Sequence, residues 1–251
     1  MSLLLNQHVL SHAQLDNFTQ SDHETWRLLF ARQIKLLKNS AASEVITGLE
    51  KLAISQTHIP KFSELNATLE NTTGFSIVPV KGLIPDDLFF KLLSERKFPS
   101  TSFIRQPEQL DYLEEPDIFH DIFGHIPLLI HPIFADFMQA FGEKGLEAMA
   151  LGMLPFAAAL YWFTVEFGLI CTQQGLRIYG AGILSSPGET VYALNSIIPS
   201  RVKFNVHQVI KTHYHIDAFQ KTYFVIESFQ ELFDILCHLD WQEIHDREFF
   251  V

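Results

Sequence analysis

Two histidines stand five residues apart in EEPDIFHDIFGHIPLL, residues 114–129, with Asp117, Asp121 and Gly124 around them. Neutral imidazole and carboxylate are ligands for a borderline divalent metal. Two histidines and one carboxylate on one face leave coordination positions open, the arrangement of non-haem Fe(II) oxygenases. The spacing of His120 and His125 nevertheless sets a problem. Residues five apart on a regular α-helix are turned by roughly 140° and separated by about 7.5 Å along the axis, so the rings diverge unless the helix is distorted. Gly124 and Pro127 supply a distortion or a helix end at that point. A zinc-protease HExxH motif fails, because aspartate rather than glutamate follows His120 and the spacing is one residue too long.

The third arm expected is Glu166, within YWFTVEFGL. It is a lone carboxylate in the most apolar helix of the chain, and a buried, unpaired carboxylate requires a cation or a proton. The competing reading is an ion pair with Arg105 or Arg177, and for the histidines a pair of solvated or core imidazoles. His213 and His215 would share a face in a strand, but such pairs are more often surface residues, and no site is assigned to them.

Helices dominate the segments that must hold these groups. Ser21 to Glu24 has a capping-box pattern opening a helix with Trp26, Leu29, Phe30, Ile34 and Leu37 on its apolar positions. Shorter helices are expected over 41–54 and 62–71, with Gly74 as a stop. FSIVPV (75–80) alternates like a strand, GLIPDD (82–87) turns into a helix, and SFIR (102–105) reads as another short strand. PIFADFMQAFGEKGLEAMALG reads as a long amphipathic helix. The next helix is expected from about Pro155 to Gln174, with Gly175 as its C′ residue. RIYGAGILSSPGE (177–189) passes from strand or turn into a helix near Pro187, TYFVIES (222–228) is a late strand, and Ser228 to Glu231 caps a final helix. The expected architecture is a single, mainly α domain over residues 1–251 with small β elements.

Composition narrows the function further. The 251 residues are 47% hydrophobic and include 23 phenylalanines, so an aromatic-rich core is expected. A formal charge of −11 argues against a nucleic-acid partner, whose phosphates demand basic patches, and against anionic membrane surfaces. The uncharged stretch 148–165 reaches the length of a membrane span, but Gly152 and Pro155 interrupt it and no Lys/Arg cluster flanks it, so a buried helix is expected. Two cysteines without CxxC spacing exclude a disulfide framework, and MSLLLNQHVLSH lacks the basic region of a signal peptide. A cytoplasmic protein, monomer or homodimer, is the expectation.

The blocks VKGLIPDDLFF (80–90), FIRQPEQLDYLEEPDIFHDIFGHIPLL (103–129), YWFTVEFGL (161–169) and RIYGAGILSSPGE (177–189) occur in this order. Together they resemble the pterin-dependent aromatic amino acid hydroxylases, and DHETWRLLFARQ near the N-terminus agrees with their bacterial branch. The resemblance implies an iron monooxygenase that converts L-phenylalanine to L-tyrosine with tetrahydropterin and O2. It implies that His120, His125 and Glu166 bind catalytic Fe(II). Gly82, Leu83, Ile84 and Asp86 would hold the pterin, Phe89 would stack on its bicyclic ring, and Asp121 would lie near it. Arg105 would pair with the substrate carboxylate, a task suited to a planar guanidinium fork, and a salt bridge to Asp117 can coexist with it. Pro116, Trp162 and Ser185 would line the substrate pocket, with Tyr161 and Tyr179 at pocket tyrosine positions. Leu113 departs from a threonine of the animal members, and Pro99 from a common histidine. No separate regulatory or tetramerisation domain is expected. The rival functions are tryptophan or tyrosine hydroxylation, a zinc hydrolase on the same ligands, and a sensor that binds an amino acid without consuming O2.

Overall fold

The computed structural model describes residues 8–10, 17–111, 113 and 115–249. Most of the N-terminal stretch read for targeting lies outside the described residues. The first long helix, Gln20–Leu37, is capped by Thr19, whose hydroxyl accepts from Asp22 N while Asp22 accepts from Thr19 N. The capping box expected at Ser21 to Glu24 is therefore made two residues earlier. Helices Ser43–Lys51 and Phe62–Thr72 follow, and Gly74, at φ +76°, ends the second as expected.

Two strands then frame one wall of the site. Strand β1 (Ser76–Val80) pairs in parallel with β2 (Lys97–Thr101), and the helix Asp86–Ser94 makes the crossover between them. The second strand lies ahead of the SFIR segment expected to form it. Ser102–Arg105 is irregular because its backbone is spent elsewhere: Phe103 O accepts from Ile118 N, and Arg105 N donates to Asp117. The loop after β1 and the end of β2 therefore open on the same side, at the carboxyl ends of parallel strands, where open α/β units place their ligands.

The crossover helix packs on the long helix Pro132–Ala150 through glycine. A Cβ at Gly142 would overlap the backbone of Leu93 and Ser94. Gly142→Ala is therefore expected to overpack this contact, costing about 1–3 kcal/mol. Thermal unfolding reads this as a Tm lower by roughly 2–4 °C per kcal/mol, and an unchanged Tm would show that the helices separate freely.

The helix expected over 155–174 is shorter than its apolar composition suggests. It spans Leu154–Tyr161, opens into a wide π-turn at Trp162–Glu166, and gives way to strand β3 (Leu169–Thr172). The chain must leave the helix there because Gly168 and Gly180 meet backbone to backbone, with Gly180 N donating to Gly168 O at 3.0 Å. The residues that follow, Ile170 and Thr172, are β-branched and suit a strand. Gly175, at φ +98°, turns β3 into β4 (Gly175–Ile178) instead of capping a helix. Strands β5 (Ser200–Lys203) and β6 (Thr222–Ile226) complete a four-stranded sheet of order β4-β3-β6-β5. Short helices Ala181–Leu184 and Pro187–Asn195 lie before β5, and Phe229–Cys237 and Trp241–Phe249 follow β6. Ser228 caps the first of these last two through Glu231 N, while Glu231 reaches back to Glu227 N.

The core is aromatic. Phe119 and Phe123 stack at 4.8 Å and meet Trp26 and Phe30 of the first helix edge-on. Among the described residues no helix is long and apolar enough to cross a membrane. His213 and His215 lie in the loop before β6, not in a strand.

Candidate active site

The histidine spacing is resolved by the backbone. Residues His120–His125 form a π-turn, with Ile126 N donating to Asp121 O five residues back. Hydrogen bonds from i+5 to i widen the turn, so residues five apart come onto one face. Asp117 starts the turn by accepting from His120 N at 3.0 Å. Gly124 permits it, since its Cα faces the backbone of Ala181 at close range. The second π-turn, closed by Phe167 N to Trp162 O, presents Glu166 from the opposite side.

These two turns bring three side chains to one point. His120 Nε2 and His125 Nε2 are 3.1 Å apart, and Glu166 lies 3.1 Å from His125 Nε2 and 3.6 Å from His120 Nε2. Adjacent ligands at about 2.1 Å from a shared ion stand about 3.0 Å apart, so these spacings fit one face of a coordination shell. The alternative partners for Glu166 are not used: neither Arg105 nor Arg177 pairs with it.

Protonation agrees with metal binding. Burial pushes His120 down to about 4, leaving it neutral. Burial would raise Glu166, but the two histidines hold it below the usual carboxylate range, so it stays ionised. Ser185 sets the tautomer of His120. Its Oγ lies 2.9 Å from Ala181 O, which can only accept, and 2.9 Å from His120 Nδ1. With the hydroxyl proton on Ala181, Nδ1 donates to Ser185 and the Nε2 lone pair is left bare for an ion. Asp121 also stands within 4.8 Å of both imidazoles. Its Oδ2 is taken by Thr101 N and Oγ1 at 2.7 and 2.8 Å, burial pushes it up to about 7, and Glu166 is the closer carboxylate.

Two cavities meet at this point. One, of about 410 Å³, is lined by Arg105, Pro116, Trp162 and Ser185. The other, of about 670 Å³, is lined by Gly82, Leu83, Ile84, Asp86, Phe89 and Asp121. His120, Glu166, Trp162, Pro116, Leu83 and Ile216 belong to both. Of the residues expected for substrate, Arg105 and Ser185 line only the smaller cavity; of those expected for pterin, Gly82, Ile84, Asp86, Phe89 and Asp121 line only the larger; Pro116, Trp162 and Leu83 border both. Pro99 and Tyr161 border the larger chamber and Leu113 the smaller. Phe89 is half-buried, its ring edge-on to Tyr161 at 5.3 Å.

Tyr179 is the exception. It is 1% exposed, packs on Phe134 and Phe229, and lines neither cavity. The resemblance carried the expectation, but the chain turns there and the ring points into the core. Arg105 is held by Asp117 through Nε and Nη2, at 2.8 and 2.9 Å. That pairing uses the side of the guanidinium and leaves its end, which borders the smaller cavity, for a ligand. Sequence reasoning missed the loop before β6. His215, Ile216 and Gln220 reach the cavities from there, and only the proximity of two histidines hinted at it.

Comparison with known proteins places this geometry. Residues 10–251 match the family described as biopterin-dependent aromatic amino acid hydroxylase. The phenylalanine-4-hydroxylase of Chromobacterium violaceum is 56% identical over 220 residues, 88% of this chain and 74% of the relative. That of Ralstonia nicotianae is 57% identical over 217 residues, 86% and 69% of the two chains. A crystal structure of the Chromobacterium violaceum enzyme with bound oxidised Fe(III) superposes with a TM-score of 0.91 at 51% identity, covering 96% of this chain and 88% of the other. One bound to cobalt gives 0.90 at 53%, covering 92% and 83%. A match over nearly the whole chain, on a fold that converges two histidines and a glutamate between two chambers, makes this protein a member of the biopterin-dependent aromatic amino acid hydroxylases.

Proposed function

We infer that the protein is an Fe(II)-dependent phenylalanine 4-monooxygenase, converting L-phenylalanine to L-tyrosine with tetrahydropterin and O2. The observation that carries this reading is the junction itself: three side chains suited to a metal, their nearest nitrogen and oxygen atoms 3.1–3.6 Å apart, stand where two cavities touch. Fe(II) supplies O2 activation, and the tetrahydropterin supplies electrons and takes the second oxygen atom.

The chain's own residues do the rest. His120, His125 and Glu166 would hold the iron, a three-ligand set that leaves coordination positions open. Arg105 takes the amino acid's carboxylate on the free end of its guanidinium, pre-oriented by Asp117, and so sets how far the aromatic ring reaches toward the junction. Trp162 and Pro116 flank that ring. On the other side the backbone of Gly82 to Ile84 faces the pterin's amide-like edge, and Phe89 offers its ring to the bicycle. Asp121, fixed by Thr101, lines the larger cavity beside the two histidines, where it would lie near both iron and pterin. The triad's low exposure limits contact of bulk water with the reacting atoms. Two exposed free thiols, Cys171 and Cys237, suit a reducing, cytoplasmic compartment.

Aerobic incubation of Fe(II)-reconstituted protein with L-phenylalanine and tetrahydropterin, following O2 loss and tyrosine together, tests the reading. Tyrosine is expected only when iron and pterin are both present. Folded, iron-loaded protein that forms no tyrosine would overturn it in favour of another aromatic substrate.

A further inference from the structure

The wall shared by both chambers is finished by the loop before β6, whose large apolar side chains stay partly exposed even where Tyr214 stacks on Trp162 and Phe219 packs on Tyr192. Ile216 is 73% exposed, Phe219 47% and Tyr214 37%. A segment that buries so little apolar surface has low local stability unless hydrogen bonds order it. Those bonds come from one residue. Gln220, 1% exposed at the foot of the loop, accepts on Oε1 from His215 N and from Trp162 Nε1, both at 3.2 Å. Its Nε2 donates to His215 O at 2.5 Å and Ala218 O at 3.2 Å. Its own backbone N–H is anchored on Glu189, which also accepts the Tyr223 hydroxyl.

Both hydrogens and both lone pairs of the amide are therefore used, on two separate parts of the chain. One part is the loop carrying Ile216. The other is the indole of Trp162, the first residue of the π-turn that ends in Glu166. Tyr214, from the same loop, stacks on that indole at 4.8 Å and Phe167 packs on it at 4.7 Å.

We propose that Gln220 is a positioning residue of the hydroxylation: its amide ties the Trp162 indole to the loop 213–219 and so fixes the wall of the amino-acid chamber. The proposal rests on the reading that this chamber takes the aromatic amino acid. Gln220 touches neither substrate nor metal in this role; it acts through Trp162 and the loop backbone.

Gln220→Met keeps the length and volume of the side chain and removes all four bonds. The expected result with the iron-loaded enzyme is a KM for L-phenylalanine raised roughly tenfold, the scale of one or two buried hydrogen bonds, with kcat changed less than about threefold. Hydrogen–deuterium exchange of the metal-free protein should show faster exchange confined to 213–220. Gln220→Asn, which keeps a polar amide too short to span loop and indole, should behave the same way and serves if the methionine variant does not fold. In a Trp162→Phe background, Gln220→Met should raise KM by a smaller factor than in the wild type, because part of what it breaks is already gone. Equal factors in the two backgrounds, an unchanged KM, or a fall in Tm and kcat without a KM change would overturn the proposal. Wild-type protein that makes no tyrosine would instead remove the functional reading, and the exchange data would still report whether Gln220 holds the loop.

Discussion

Glu166→Ala is expected to lose its iron and its turnover while keeping its fold. Glu166 provides the only arm that reaches the two imidazoles from the opposite π-turn, and its carboxylate sits 3.1 and 3.6 Å from their Nε2 atoms. Losing even a residue that merely orients a ligand costs about 10–100-fold in metal affinity or activity, so loss of the ligand itself should cost at least about 100-fold in turnover. Stability should move little. In metal-free protein the neighbouring imidazoles hold the carboxylate below the usual range against burial, so the folded state favours its ionised form. Removing it takes away that favourable pairing, so at neutral pH the metal-free variant should melt modestly lower than the metal-free wild type. Iron per chain by metal analysis, tyrosine formation and thermal unfolding test all three. Wild-type-like turnover would sink the ligand assignment, and a large fall in Tm would mean that Glu166 is a structural ion-pair residue.

The second large effect belongs to a residue with no direct part in the chemistry. Asp117→Ala is expected to destabilise the protein by about 3–5 kcal/mol, because it strands the Arg105 guanidinium in a buried site. Asp117 has no exposed surface and accepts from Arg105 N, Nε and Nη2 and from His120 N. Burial alone would raise its carboxyl, but the Arg105 guanidinium outweighs it and holds the group below the usual range. The folded value lies below the unfolded one. The stabilisation is thus complete at neutral pH and is lost only as acid takes the solution down through the folded value. Urea unfolding at neutral pH measures the loss, and a cost under about 1 kcal/mol would place the pair in solvent-like surroundings. The variant's iron should also bind more weakly, since Asp117 opens the turn that carries His120.

Much of the site was legible in the sequence because its ligands are clustered in short, distinctive runs. EPDIFHDIFGHIPLL and YWFTVEFGL supplied the three side chains that converge, and the runs expected for pterin and substrate line two adjoining cavities. What the runs could not show was the geometry that makes five-residue spacing converge. A π-turn differs from an α-turn by where the hydrogen bonds close, and here tertiary contacts decide that, including the approach of Gly124 to Ala181. The same limitation lengthened the helix expected to Gln174. Apolar composition continues past Glu166, but the meeting of Gly168 with Gly180 is set by residues distant in sequence. Tyr179 was misplaced for a related reason: a pattern tells which residues are neighbours along the chain, and the turn at Gly180 decides which way a ring faces. Gln220 left no local signal, since its partners Trp162 and Glu189 lie 58 and 31 residues away.

The order of the strands has a consequence for synthesis. Strand β6, the last in sequence of the described strands, takes a place between β3 and β5, both made before it, and pairs with each in parallel. Such long-range pairing forms slowly, because a large loop must close before any contact compensates for it. The loop carrying Ile216 and Gln220 comes immediately before β6, and Tyr223 on β6 anchors Glu189. A nascent chain can therefore bring His120, His125 and Glu166 out of the ribosome well before the chamber has its final wall.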